Sequence, residues 1–242
     1  MKIPKIFQKR YKNEIEPKGM LCMFLIFVCI VGIFNAFRFG TASLDYYSVR
    51  NSIELWSQEG QTQTLEDYEN AKSSIKMARM LHSSNPLYVE LTGQINEWGN
   101  VSGLDTQQSL LSAKEQYLSA TKLRPLWPVT WANLALLKWR LQEFDEEMLS
   151  YLEKADQLGP QSSEVHILYS KLGLTLYKAN HPFYLNINDK VRSRVVNALK
   201  SHSARDGFRD FIRDNEHTKT VCRWVKIDNP AVAEAFLPCP SA

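Results

Sequence analysis

The chain has 242 residues, 44% hydrophobic and 23% charged, with a formal net charge of +3, a balance that belongs to a folded protein and excludes a disordered one. Residues 1–18 carry six Lys or Arg against two Glu, a local +4 that leaves about −1 for the rest. The basicity is a property of a short tail, so charge gives no case for a nucleic-acid partner.

The basic tail, read over 1–19, leads into Met20 to Phe37, where Asn35 is the one polar side chain in 18 residues. At 1.5 Å per residue such a helix spans roughly 27 Å, close to the hydrocarbon thickness of a bilayer. The reading is a transmembrane helix over 20–37. A buried core helix is one alternative, and a cleavable signal is another, with Gly40, Thr41 and Ala42 as small residues near a cleavage position. Lys2, Lys5, Lys9, Arg10, Lys12 and Lys18 precede the span while Arg38 and Arg50 follow it. That bias keeps the tail in the cytoplasm and sends everything after about Thr41 to the far side. In a bacterium this describes a single-pass inner-membrane protein with a periplasmic domain. Cys22 and Cys29, seven apart, are read as apolar packing residues of the span.

Leu44, Tyr47, Ile53 and Trp56 recur at loosely helical spacing. They indicate a connecting helix within a linker over 38–64, which either carries the next domain away from the membrane or packs on it as a cap. Gly60 and the polar run to Thr64 end it.

From Leu65 the sequence repeats itself. Ala71 and Ala78 precede Leu81 and Pro86; Ala113 and Ala120 precede Leu123 and Pro125; Ala155 precedes Leu158 and Pro160, with the last two prolines 35 residues apart. Between them Trp131, Leu134, Ala135, Phe144, Met148 and Leu152 set bulk against alanines where helices must approach closely. The tetratricopeptide pattern has this order at a period of about 34 residues, and Pro closes each unit because it cannot continue a helix. The expectation is an all-α chain with a helical-repeat array over 65–178, each helix-turn-helix covered only by its neighbours. Gly99 to Gly103 is read as a turn, with Asp105 or Thr106 capping the next helix. The unit after Pro160 is weaker, because Ser170 stands where the small residue is expected. Residues 179–242 are read as a capping region, with one charged helix from Lys190 to about Asp214 and then a tail.

Arg205, Arg209 and Arg213 form one i,i+4 row and Asp206, Asp210 and Asp214 the next. Such rows usually make a salt-bridged solvent face. The alternative is an arginine ridge, joined by Lys190, Arg192, Arg194 and Lys200, that binds an anionic glycan or lipid phosphate. His82, His166, His181, His202 and His217 are scattered with no ligand spacing, so no metal site is expected. Asp145, Glu146 and Glu147 open a repeat helix, where carboxylates favour the N-terminal dipole. No nucleophile, phosphate-loop or dinucleotide motif is present, and neither catalysis nor a cofactor is expected. On an oxidising side of the membrane Cys222 and Cys239 can pair, closing a loop worth about 3 kcal/mol in the chain-entropy model.

NPLYVELTGQINEW, then LSATKLRPLWPVTWANLALLKWRLQEFDEE and KADQLGP, resemble the VpsP-type polysaccharide-biosynthesis proteins, RPLWPxxWANLALxK being the most specific piece. The resemblance implies a single-pass inner-membrane protein with a tetratricopeptide-like domain among exopolysaccharide and biofilm functions, and supplies no catalytic residues. The reading is a scaffold that tethers polysaccharide-synthesis or export proteins at the inner membrane. Its binding groove is expected along the first helix of each unit, at Tyr88, Glu90, Trp127, Asn133 and Lys138. Direct glycan binding through Arg205, Arg209 and Arg213 is the alternative, and a glycan-modifying or chain-length-controlling enzyme a weaker one.

Overall fold

The computed structural model describes residues 17–59 and 64–239, and among these residues every regular element is a helix. In chain order they are α1 (Pro17–Glu59), α2 (Leu65–Leu81), α3 (Pro86–Val101), α4 (Gln107–Leu123), α5 (Pro128–Arg140), α6 (Glu146–Leu158), α7 (Ser163–Lys178), a 3-10 turn (Pro182–Asn186), α8 (Asn188–Lys200), α9 (Arg205–Asp214), α10 (Thr218–Asp228) and α11 (Pro230–Phe236). The expected basic residues up to Lys12 lie outside the described residues, as does the Gly60 end of the linker.

α1 is 43 residues long and has two different environments. Its first half, over the apolar window, is covered by none of the described residues: Phe24, Phe27, Ile33 and Phe34 are all more than half exposed. An apolar rod of this length left in water costs about 1.5–3 kcal/mol for each large side chain, which a bilayer removes. Its second half turns Ala42, Val49 and Trp56, seven residues apart, into the protein at 1% exposure or less. They meet Tyr68, Ala71, Ile75 and Ala78 of α2 in one apolar cluster. The helix therefore runs through the expected boundary at residue 38. What the sequence suggests as a linker is the first helix of the array.

The tightest packing lies within four pairs, α1 with α2, α3 with α4, α5 with α6 and α7 with α8. Each later pair opens on proline or serine after an extended cap residue: Asn85, Trp127 and Ser162 precede α3, α5 and α7. The Asn85 carboxamide accepts from the Leu87 amide at 3.0 Å, satisfying one of the orphan donors of the first turn. α6 begins on Asp145, whose carboxylate accepts from the Met148 amide at 3.0 Å. α3 runs to Val101, two residues beyond the expected start of its turn, and the reversal falls at Ser102 to Thr106.

Pair closure depends on small residues in the first helix of each unit. A Cβ on Gly93 would lie 2.7 Å from the Tyr117 ring of α4, and one on Gly173 would lie 2.4 Å from Val191 of α8. Ala135 occupies the position of α5 that corresponds to Gly93 and is fully buried. In α7 the position in register with Gly93 and Ala135 is Ser170, fully buried, whose hydroxyl donates to the His166 carbonyl at 2.6 Å, and Gly173 is a further small position three residues on. The array is regular one pair beyond the point where its sequence pattern weakens.

The region after α7 differs from its expected form. The charged helix over Lys190 to Asp214 is broken at residues 201–204 into α8 and α9, and the tail folds as α10 and α11. Phe208, Ile212, Val221, Trp224 and Val225 join the main core, and Cys222 is bonded to Cys239, fastening the segment after α11 to α10. Gly207, in the first turn of α9, has open space where a Cβ would stand. Gly173→Ala should lower the melting free energy by about 1–3 kcal/mol through overpacking. Gly207→Ala should raise it by about 0.5–1 kcal/mol. Thermal melts of the two variants beside the parent check both signs; equal shifts would contradict the assigned packing.

Candidate functional site

The five residues expected to bind a partner divide by location. Tyr88 is 3% exposed, its hydroxyl 3.3 Å from Ser43 of α1. Glu90, 6% exposed, accepts from the Arg124 guanidinium at 2.8 Å, the Thr130 hydroxyl at 2.9 Å and the Asn133 amide at 3.0 Å. Burial raises its pKa, and these three donors oppose the rise. Lys138 is 2% exposed and donates to Glu143 at 2.5 Å, Asp145 at 2.6 Å and Glu147 at 3.1 Å. Burial pulls the Lys138 pKa down, but the three carboxylates outweigh it and hold the pKa above its ordinary value. Tyr88, Glu90 and Lys138 are therefore interior joints of the array, their polar atoms already engaged. Asn133 is half-buried with its amide on Glu90, and Trp127, 41% exposed, is the one of the five that faces outward.

Glu143, Asp145 and Glu147 gather within 4.8 Å of one another, close enough to resemble a cation site. The Lys138 ammonium lies among them, and Lys114 reaches Glu147 at 2.7 Å. Hydrogen bonds from Lys114 and Tyr151 are the main reason that Glu147 is held down to about 2. The cluster is a clasp between α4, α5 and α6 in which two lysines offset most of the charge of three carboxylates.

The arginine ridge does not assemble. The Arg205 guanidinium donates to the Leu199 and Lys200 carbonyls at 2.6 and 3.1 Å and lies 3.9 Å over the Phe236 ring, so it caps α8. Arg213 pairs with Asp210 and Asp214 at 2.9 Å, and Arg209 with Asp206 at 3.8 Å, all on exposed side chains of one helix. Arg192 is bound to Asp228 and Lys190 to Asp156. Arg194 is 6% exposed and belongs to a different arrangement. It bonds Asp156, donates to the Pro160 carbonyl at 3.1 Å, and approaches His166 Nδ1 at 2.8 Å. Sequence reading places Arg194 on a surface; its role is to lock α8 onto the end of α6 and the start of α7.

A groove of about 560 Å³ runs along the first helices of two successive pairs and ends at the start of α9. Asn133, Leu136 and Trp139 of α5 form one wall, and Ile167, Leu168 and Lys171 of α7 the other. Arg140 lies at its lip, held by the buried Glu97 of α3 at 2.7 Å. Lys171 has no carboxylate within ion-pairing distance among the described residues, and its ammonium lies 5.1 Å from the Phe211 ring centre. Burial pulls its pKa down. Nothing in the sequence singles out Lys171, because its isolation is made by α9 folding back over α7.

Burial, and then the Arg194 charge, push the His166 pKa down to about 4. The unfolded chain takes up a proton near pH 6.5 that the folded chain refuses. The neutral ring's contribution is therefore complete above about pH 6.5 and lost as pH falls toward 4. His166→Gln keeps an acceptor for Arg194 but cannot protonate. Denaturant melts across pH 4–7 should show the parent losing up to about 3 kcal/mol relative to this variant on acidification; parallel curves would contradict the assigned contact.

No family model matches the chain, and no curated protein matches it. A structural comparison relates it to a structure reported as "Functional Characterization of Pseudomonas Aeruginosa pilF", at 14% identity and a TM-score of 0.26, covering 79% of this chain and 97% of that one. At such values the likeness carries no functional argument. The chain is an all-α protein of paired, tetratricopeptide-like helices that follow a long apolar N-terminal helix.

Proposed function

We propose that the chain is a membrane-anchored scaffold that grips a partner protein in the groove between α5 and α7. The observation that carries this reading is Lys171, a half-buried cation with no carboxylate at ion-pairing distance among the described residues, in a groove it shares with Leu136, Trp139, Ile167 and Leu168. Desolvating an ammonium is unfavourable unless an anion answers it, and a partner segment with apolar side chains and one acidic group answers both features. Glu164 at one end and the Arg140 lip give such a segment a direction.

The apolar half of α1 serves as a retained span, and the basic residues before it set the tail in the cytoplasm. The array then lies on the far side, the bacterial periplasm, where the Cys222–Cys239 bond is compatible with an oxidising compartment. The resemblance of RPLWPxxWANLALxK to VpsP-type proteins supports a place among exopolysaccharide synthesis or export components, with other proteins of that machinery as partners. Anchoring raises the effective concentration of a bound partner at the membrane.

Lys171→Glu should weaken capture of the partner by about tenfold or more, the equivalent of 1.4 kcal/mol or more, while Lys138→Met should act only through stability. Photo-crosslinking from position 136 in intact cells, followed by quantitation of the adduct in the Lys171→Glu background, measures this. An adduct of undiminished yield would remove Lys171 from the binding site.

A further inference from the structure

One edge of the array carries exposed apolar side chains that no neighbouring helix covers. It is formed by the turns that lead from the second helix of each pair to the first of the next. Met80 at the end of α2 is 72% exposed and Leu87 at the start of α3 is 38% exposed. Around the α4–α5 turn, Leu123 is 47%, Leu126 76% and Trp127 41% exposed, with the Arg124 guanidinium 4.2 Å over the Trp127 ring. At the opposite edge the α5–α6 turn is different. It presents Glu143 and Asp145 to solvent, and its Phe144 is tucked against His181 and Phe183.

The height of the apolar edge follows from α1. Phe39 and Ser43 lie only two and six residues beyond Phe37, roughly 3 and 9 Å at a helical rise of 1.5 Å. A headgroup layer is roughly 5–8 Å deep on each side of the hydrocarbon. The Phe39 ring is 4.4 Å from that of His82, just after α2, and Ser43 is 3.3 Å from the Tyr88 hydroxyl in the first turn of α3. The α2–α3 turn is therefore level with the end of the apolar span. The α4–α5 turn is tied to the same level through Glu90, two residues along α3 from Tyr88, which holds both Arg124 and Thr130. Trp127 precedes Thr130 by three residues and stands roughly 4.5 Å further toward the span.

We propose that this edge, with Met80, Leu126 and Trp127 at its tips, is seated in the headgroup layer of the bilayer that α1 crosses. The partner is a lipid surface. The inference rests on the reading of α1 as a retained span. An indole with an arginine stacked on it and an adjacent leucine suits a layer that is apolar on one side and phosphate-rich on the other. The seat adds a second attachment to the span and fixes the array's orientation. Asn133, six residues along from Trp127, places the near end of the groove roughly 9 Å above the seat, so a captured segment would be juxtamembrane.

Depth-dependent fluorescence quenching on the full chain tests this, in vesicles of phosphatidylethanolamine and phosphatidylglycerol. A fluorophore is attached to Cys29 in a Cys22→Ala background. In a Cys22→Ala, Cys29→Ala background it is attached through Met80→Cys, Leu126→Cys or Glu146→Cys. The expectation is quenching at positions 80 and 126 by a nitroxide on the lipid headgroup, quenching at Cys29 by a nitroxide midway down the acyl chain, and neither at position 146. Cys29 quenched mid-chain with either position 80 or 126 untouched would overturn the seated edge and leave the span intact. Cys29 untouched by both nitroxides would overturn the span and the seat together.

Discussion

No helix pair in this protein can bury its apolar face alone, and for α2 the covering surface is supplied by the helix that carries the apolar span. Ala42, Val49 and Trp56 recur at seven-residue steps, so they stay on one side of α1 for about four turns. Against them α2 sets Tyr68, Ala71, Ile75 and Ala78, with alanine where the backbones come closest. The remaining pairs extend from this first wall, each capping the one before it, until α10, α11 and the disulfide close the far end. A change of tilt in the apolar half of α1 would be transmitted to the array directly, since the helix is continuous from Pro17 to Glu59.

The pairs are also linked by charge at nearly the repeat spacing. Glu90 binds Arg124, Lys114 binds Glu147, Asp156 binds Lys190, and Arg192 binds Asp228, separations of 33 to 36 residues. An exposed ion pair contributes little, but removing one partner of a buried pair leaves an uncompensated charge and costs about 3–5 kcal/mol. Glu90, Glu97, Lys138 and Arg194 are of the second kind, each under 7% exposed. They favour one stacking register over others, which a face of alanine and leucine alone would not.

The repeat itself was legible in the sequence because alanine, a large apolar residue and proline recur in fixed order, and each has a separate steric reason. The charged joints were not. Tyr88, Glu90 and Lys138 look in sequence like a polar binding face, since nothing local shows that Ser43, Arg124 or Glu143 will meet them. Arg194 and Arg205 look like parts of a ridge until α8 and α9 bend apart and turn each toward a carbonyl or ring. The continuity of α1 was hidden because a drop in hydropathy after Phe37 resembles the end of a helix, although it marks only a change of surroundings. Lys171 depends on α9, and the break before α9 falls at His202 and its serine neighbours, which carry no strong stop signal.

The apolar helix and the array thus form one mechanical unit, and the proposed membrane seat and the proposed partner groove both rest on its geometry. The most direct test is amide hydrogen exchange on the full chain in lipid nanodiscs. The account predicts that amides from Ala42 to Trp56 exchange as slowly as those from Ala71 to Ala78, because the two segments open together. Rapid exchange over 42–56 with α2 still protected would mean that α1 is only a tether, and would contradict the account.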